Sequence, residues 1–273
     1  ALGWDVYQSD HEDANGQFEI NFRYAGALTT ADRYTYLKMM TSQVGKRHGV
    51  IATHMAKPFA NRTGSGAHFH FHLADARTGE NLFLDAKDPR GLGQSRLAYH
   101  FLGGCIRHAR ALTAVLAPTV NCYKRLILTG SASGFTWVPA FISYGGNNRT
   151  QMFRTPGPGR FECRTVSAAC NPYLALAALL VAGLDGIRNE IDPGDPVHLN
   201  MYALTPADIQ RMGIATVPQS LPEALACLER DEVILSALGE PLAQEFLAVK
   251  RDEWTKYHNV VTQWEVDRYL QLF

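Results

Sequence analysis

The chain has 273 residues, 46% apolar and 19% charged, which is enough material for one large domain or two small ones. Lys plus Arg and Asp plus Glu stand at 26 each, so no global charge favours nucleic acid or a membrane surface. Five cysteines without a CxxC pair argue for reduced thiols in a cytoplasm rather than a disulfide framework. No run of about 18 apolar residues suggests a membrane span, and no signal peptide is expected. The sequence opens at Ala1, without methionine, in what reads as the middle of a strand-rich region, so an upstream portion is expected to be missing.

The first predicted element is a hairpin in DHEDANGQFEIN, Asp10 to Asn21. Asn15-Gly16 suits a two-residue turn of the primed type. That loop would set Ala14 against Gln17, Asp13 against Phe18 and Glu12 against Glu19, with the last two Cβ atoms about 5 Å apart, where like charges destabilise a sheet. A longer turn, solvent-facing carboxylates or a shared proton would each relieve the conflict. A cation between the two would reverse its sign.

A helix follows over Thr30 to Arg47, with Thr30 as cap, Asp32 in the first turn, Gly49 past the end, and Tyr34, Leu37 and Val44 on the buried face. A second spans Leu92 to Ala117 on a stripe of Leu97, Phe101, Cys105, Ala109, Leu112 and Leu116, ended by Pro118. A third, NPYLALAALLVAGLDGI, has Asn171 as cap and Pro172 at the first helical position, and is apolar on nearly every side. Strand-like runs lie at Gly49–Met55, Ala67–Ala74, Phe135–Tyr144 and Phe161–Val166, so the expected class is α+β with mainly antiparallel strands. From Asp195 the pattern changes to short capped helices. Thr205-Pro206 opens one that Gly213 closes, Ser220 and Glu223 read as a capping box, and a last helical stretch runs from Pro241 through Tyr269. Residues 1–194 then form the core and residues 195–273 a helical C-terminal part of the same domain.

TGSGAHFHFHL, Thr63 to Leu73, is the most informative stretch. Gly64 and Gly66 allow the backbone to approach a ligand closely. On a strand His68, His70 and His72 would project from one face. Zinc takes such triads, but carboxylates are the nearest candidate partners, and sets with one histidine among carboxylates suit magnesium or manganese better. Arg125, Arg149, Arg154, Arg160 and Arg164 lie within 40 residues rich in glycine and proline, which suggests a loop-built anion site more than a solvated basic face. Glu162 sits between Arg160 and Arg164 on one strand face, where it should stay ionised. Together these features read as metal-assisted phosphoryl transfer, without a Walker loop or a GxGxxG turn after a strand.

The order HEDANGQFEI, KPFANRTGSGAHFH, NCYKRL, NNRTQMFR, GRFECR and NPYLALAALLVAGLDGI resembles the catalytic domain of glutamine synthetases over essentially the whole chain. DHEDANGQFEIN, GLGQSRLAYHFLGG and WEVDRYLQLF bring it nearest to the glutamate–amine ligase branch, with methylamine the best single guess for the amine. The resemblance implies a curved, mainly antiparallel sheet with packed helices. It implies Glu12 and Glu19 as ligands of a first divalent metal, and His68 and Glu162 as ligands of a second, with two to three Mg2+ (or Mn2+) per site and ATP as co-substrate. Gly64, Arg125, Arg149 and Arg164 would hold the amino-acid substrate. His70, His72, Arg149, Arg154 and Arg160 would lie along ATP and the developing γ-glutamyl phosphate. Arg125 and Arg149 are the expected catalytic residues, and the hairpin glutamates would face each other because magnesium belongs between them.

The resemblance further implies a cytoplasmic homo-oligomer, a dodecamer with active sites between subunits, acting on small molecules and neither nucleic acid nor membrane. An upstream E-x-E metal pair and a small N-terminal β-domain would be absent from this stretch. Several departures touch the substrate. Ser131 stands where ammonia-using members carry a glutamate, which favours an alkylamine over ammonium. His72 replaces a serine, Thr63 an asparagine or proline, and Ala56 a proline, while RTVSAACNPY lacks the usual continuation after Arg164. Tyr202 falls where some bacterial members are adenylylated, although a structural tyrosine is the simpler reading. Glutamine synthetase proper, a γ-glutamylpolyamine ligase and a catalytically silent family member are the alternatives.

Overall fold

The structure, a computed structural model, describes residues 2–128 and 137–273. Its elements in chain order are β1 (Val6–His11), β2 (Phe18–Phe22), α1 (Ala27–Arg47), β3 (Phe69–Phe71), α2 (Arg96–Arg107), α3 (Ala109–Leu116), α4 (Val120–Tyr123), β4 (Phe141–Gly145), β5 (Gln151–Gly157), β6 (Arg160–Cys163) and α5 (Pro172–Arg188). A 3-10 turn (Met201–Ala203), α6 (Pro206–Arg211), β7 (Ala215–Thr216), α7 (Leu221–Leu228), α8 (Glu232–Leu238), α9 (Glu240–His258) and α10 (Gln263–Tyr269) complete it. The hairpin β1–β2 stands apart from a five-stranded sheet ordered β3-β6-β5-β4-β7. All its strand pairs are antiparallel except β4–β5, so the α+β reading of the sequence holds.

Several expected boundaries move. The first helix begins at Ala27 behind Gly26, so Thr30 is not its cap, and Val44 is exposed while Ala31 and Leu37 are buried. The second starts after Ser95, whose side chain accepts from Ala98 N, and is broken at His108 into α2 and α3. The break has a distant cause: the His108 ring lies between Asp185 of α5 and Asp231 at the start of α8. The stripe nevertheless stays in the core, with Phe101, Cys105, Ala109, Leu112 and Leu116 all buried. Gly49–Met55 forms no strand, and Ala67–Ala74 shortens to β3. β5 was hidden in a stretch that read as an arginine-rich loop. The final stretch is two helices, and Glu223 reaches back to Gln219 N rather than closing a box on Ser220. Reciprocal boxes lie instead at Thr205 with Asp208 and at Thr262 with Glu265.

The core fills the space between one face of the sheet and α2, α3 and α5. Phe71 and Phe161 from the sheet meet Phe101 of α2 and Phe83, with ring centroids 5.3–6.2 Å apart. Asn171 caps α5 as the sequence suggests. Helices α2 and α5 pack backbone to backbone: a Cβ added at Gly104 would lie 2.6 Å from Gly186 N. The same cluster includes Leu221, Leu225, Ile234 and Ala243, so α7, α8 and α9 share it. Among the described residues no helix is long and apolar enough to cross a membrane. Tyr202 donates its hydroxyl to Val138 O at 2.9 Å with its ring against Phe141, a supporting role in which burial raises its pKa.

Candidate active site

The sheet divides its residues by parity. In β3, β6 and β5 the row Phe69–Cys163–Phe153 points into the core, and the adjacent row His70–Glu162–Arg154 points the other way. That second face is the floor of a cleft of about 1140 Å3, walled by the hairpin and by the 63–70 segment. Strand alternation is what separates apolar and ionic side chains so cleanly. The cleft brings together Glu12, Glu19, Gly64, His68, His70, Arg125, Arg149, Arg154, Arg160, Glu162 and Arg164.

Glu162 is the centre of the floor and is almost wholly buried. Arg164 Nη1 donates to its Oε1 at 2.7 Å and Arg154 Nη1 to its Oε2 at 2.9 Å, while His68 Nδ1 lies 3.3 Å from Oε1. Two guanidinium donors supply the compensation that a buried carboxylate requires. Burial and the charges of Arg164 and Arg125 hold the pKa of His68 well below its usual value, so the ring is neutral, the form that ligates a metal. Burial also lowers the pKa of His70, with Arg160 and Arg154 adding to the effect against Glu162.

The arginines differ in what they hold. Arg125 is buried and donates to Thr165 O at 3.3 Å and Arg164 O at 2.9 Å, so it fixes the backbone that carries Arg164. Burial and the neighbouring Arg164 charge bring its pKa down to about 10. Arg154 bridges Glu162 and Asn147 Oδ1. Arg149 is exposed and lies over Trp137, its guanidinium carbon 5.5 Å from the ring centroid, and Arg160 is exposed at the rim. Arg164 is 7% exposed, and its Nε has no hydrogen-bond partner among the described residues. A buried charged donor left unmade costs roughly 1–3 kcal/mol or more, so this one marks a place for an acceptor.

The hairpin differs from the expected turn. Gln17 N donates to Ala14 O, and only Gly16 has a positive φ, so the primed turn does not form. The register runs Asp10↔Glu19 and His11↔Phe18, with Glu12 N bonded to Gln17 O. Glu12 therefore does not lie opposite Glu19. The offset is two residues, however, which preserves the face. The two carboxyls lie on one diagonal of the hairpin, close enough for each to shift the other's titration. Burial first, then Glu19, pushes the Glu12 pKa up to about 7. Hydrogen bonds from Glu12 and Asn21 and the charge of Arg149 lower that of Glu19 against its own desolvation.

His72 is not among the residues that line the cleft, and its ring packs edge-on against Tyr24, which does line it, with centroids 5.3 Å apart. Ser131 lies outside the described residues. Sequence reasoning missed Gln17, which ties the hairpin to the 63–65 loop, and Trp137, which walls the cleft beside Arg149. The only signals for them were a polar residue inside the hairpin and an aromatic between two glycine-rich segments.

Among the described residues no three His, Cys, Asp or Glu side chains converge as a metal site. Two pairs stand instead, Glu12 with Glu19 and His68 with Glu162. Their oxygen-rich chemistry suits a hard divalent cation that keeps several waters. The raised pKa of Glu12 beside Glu19 marks a place where a cation would relieve repulsion.

Residues 1–269 match the family model described as glutamine synthetase, catalytic domain. A glutamate–methylamine ligase of Methyloversatilis universalis is 51% identical over the whole chain, which covers 61% of that protein. A glutamine synthetase of Rhizobium meliloti is 45% identical over 97% of the chain, covering 60% of its own length. A solved structure described as "GmaS/ADP complex-Conformation 1" superposes with a TM-score of 0.89 at 48% identity, over 98% of this chain and 60% of that one. The chain thus spans about three fifths of the length of these relatives. It belongs to the glutamine synthetase family, and residues 1–269 carry that family's catalytic domain.

Proposed function

We propose that the protein containing this chain is an ATP-dependent glutamate–amine ligase, with methylamine as the preferred amine. The observation that carries the reading is the cleft itself, which gathers Arg125, Arg149, Arg154, Arg160 and Arg164 with the carboxylates Glu12, Glu19 and Glu162, beside a buried Arg164 Nε that has no partner among the described residues. A free α-amino acid offers the carboxylate that such a donor lacks. The 51% identity to a methylamine ligase supports the choice of amine.

In this reading Arg164 holds the substrate carboxylate, Arg125 keeps Arg164 in place from behind, and Gly64 leaves room at the loop. A γ-carboxylate oxygen attacks the terminal phosphorus of ATP, and ADP leaves. The amine nitrogen then attacks the acyl carbon, loses a proton and expels phosphate. Arg149 and Arg160 at the rim, with Arg154 beside Glu162, surround the transferring phosphoryl group with positive charge, the dominant catalytic contribution in such reactions. His70 lies on the same row. Glu12 with Glu19, and His68 with Glu162, would hold the two to three Mg2+ (or Mn2+) ions that neutralise phosphate charge, together with ligands from outside this stretch. The protein would be a cytoplasmic dodecamer with sites between subunits, and residues 195–273 a helical part of the same domain as residues 1–194.

The test uses the full-length protein and measures ATP- and glutamate-dependent phosphate release with ammonium, methylamine, ethylamine and putrescine. A methylamine preference that vanishes in Glu12→Ala supports the ligase and the hairpin's role. Turnover with ammonium alone would make it a glutamine synthetase, the reading that the 45% identity to the Rhizobium enzyme favours. No turnover with any amine would leave a structural family member.

A further inference from the structure

The hairpin is exposed along most of its length, and one side chain ties its tip to the body of the molecule. Gln17 Nε2 donates to Gly64 O at 3.1 Å and to Ser65 Oγ at 3.2 Å. Its Oε1 accepts from Thr63 Oγ1 at 2.9 Å and from Ala14 N at 3.1 Å. A primary amide has two N–H donors and two lone pairs, so all four are in use. The main chain of the same residue organises the metal end of the hairpin, since Gln17 O accepts from Glu12 N and Gln17 N donates to Ala14 O.

The loop at the other end is packed without slack. Ser65 N donates to Ala56 O at 2.8 Å. A Cβ at Gly64 would stand 2.6 Å from Ala56 O and 2.9 Å from Arg125 Cγ. Arg125 in turn holds the carbonyls of Arg164 and Thr165. Direct contacts therefore run from Glu12 through Gln17, Gly64 and Arg125 to Arg164. The threonine at position 63, a departure from the family pattern, supplies the hydroxyl that the amide oxygen accepts.

We propose that Gln17 is a positioning residue that sets the Glu12–Glu19 pair in register with the 63–66 loop and the buried arginines, so that a divalent cation on the hairpin and a carboxylate ligand at Arg164 each strengthen binding of the other. Coupling of this kind is reciprocal. The ligand identity rests on the ligase reading, but the coupling is measured without turnover.

The experiment measures Mn2+ binding to the full-length protein by calorimetry, with and without L-glutamate, in the wild type and in Gln17→Met, which keeps the volume and removes the four side-chain bonds. Glutamate should tighten Mn2+ binding about tenfold in the wild type, the size of one or two net hydrogen bonds, and by less than about twofold in the variant. Amide exchange should rise together in residues 12–17 and 63–66. Thr63→Val, which removes one bond of the four, should give an intermediate coupling, and serves alone if Gln17→Met does not fold. Independent binding in the wild type, or full coupling in the variants with faster exchange confined to 12–17, overturns the proposal. An absence of amine-dependent turnover would sink the ligase reading and leave this one standing on the binding data.

Discussion

Glu12 and Glu19 share one face of the hairpin across a diagonal, from positions that the register places two residues out of opposition. A proton on Glu12 favours the arrangement, because two ionised carboxyls side by side in a partly desolvated site repel each other.

The sign of the resulting pH dependence follows. Glu12 has its folded pKa raised from 4.5 to about 7, so its contribution to stability is present below pH 4.5 and is lost as the pH rises towards 7. In EDTA at pH 8, Glu12→Gln should melt higher than the wild type, by roughly 2–4 °C for each kcal/mol of relieved repulsion. The gap should close towards pH 4.5. Added Mg2+ should raise the wild type alone, and thermal scans across that range read all three outcomes.

Arg164 offers a second test. Arg164→Lys keeps the charge and removes both the Nη1 bond to Glu162 Oε1 and the unpartnered Nε. Loss of one charged hydrogen bond of about 1.5–3 kcal/mol should raise the KM for glutamate by roughly 10- to 150-fold, with a smaller change in the KM for ATP. Equal changes in both would show that the substitution disturbs the floor as a whole.

His72 should behave as a bystander. It does not line the cleft and touches it only through Tyr24, so His72→Ser is expected to leave the KM for ATP within about twofold. A larger rise in steady-state titrations would bring the residue back to the nucleotide.

His108 predicts a pH dependence of the opposite kind. Burial opposes its charge, but hydrogen bonds and charges from Asp231 and Asp185 outweigh it and raise the pKa above 6.5. Its stabilising contribution is therefore complete below pH 6.5 and is lost as the pH climbs through the raised value. In urea denaturation His108→Gln should cost about 2–3 kcal/mol at pH 6 and distinctly less at pH 9. A cost independent of pH would mean that the ring acts by shape alone.

Features with a short-range cause were legible in the sequence. The even-numbered ionic residues of RFECR and the Asn171-Pro172 helix start follow from period and capping, and the structure shows both, whereas of the alternating histidines only His70 lies within a strand and His72 does not line the cleft. What escaped was set from a distance. The second helix breaks at His108 because carboxylates from α5 and α8 reach it. β5 is a strand because β4 and β6 flank it, although its own sequence is turn-like. In the site, Glu12 and Glu19 could be paired by eye, but their diagonal offset depended on a bulged loop, and Gln17 owes its place to a loop some fifty positions later.

The alternation along β6 bears on how errors in folding are detected. Phe161 and Cys163 belong to the core, and Glu162 and Arg164 to the cleft, so a pairing slip of one position would drive two charges into the hydrophobic interior and expose the aromatic it displaced. Such a chain would not collapse into a well-folded but inactive molecule. It would fail outright, and quality-control proteases would meet it as an unfolded chain. The strand that assembles the chemistry is thus also a checkpoint, which ties the yield of folded molecules closely to the yield of competent ones.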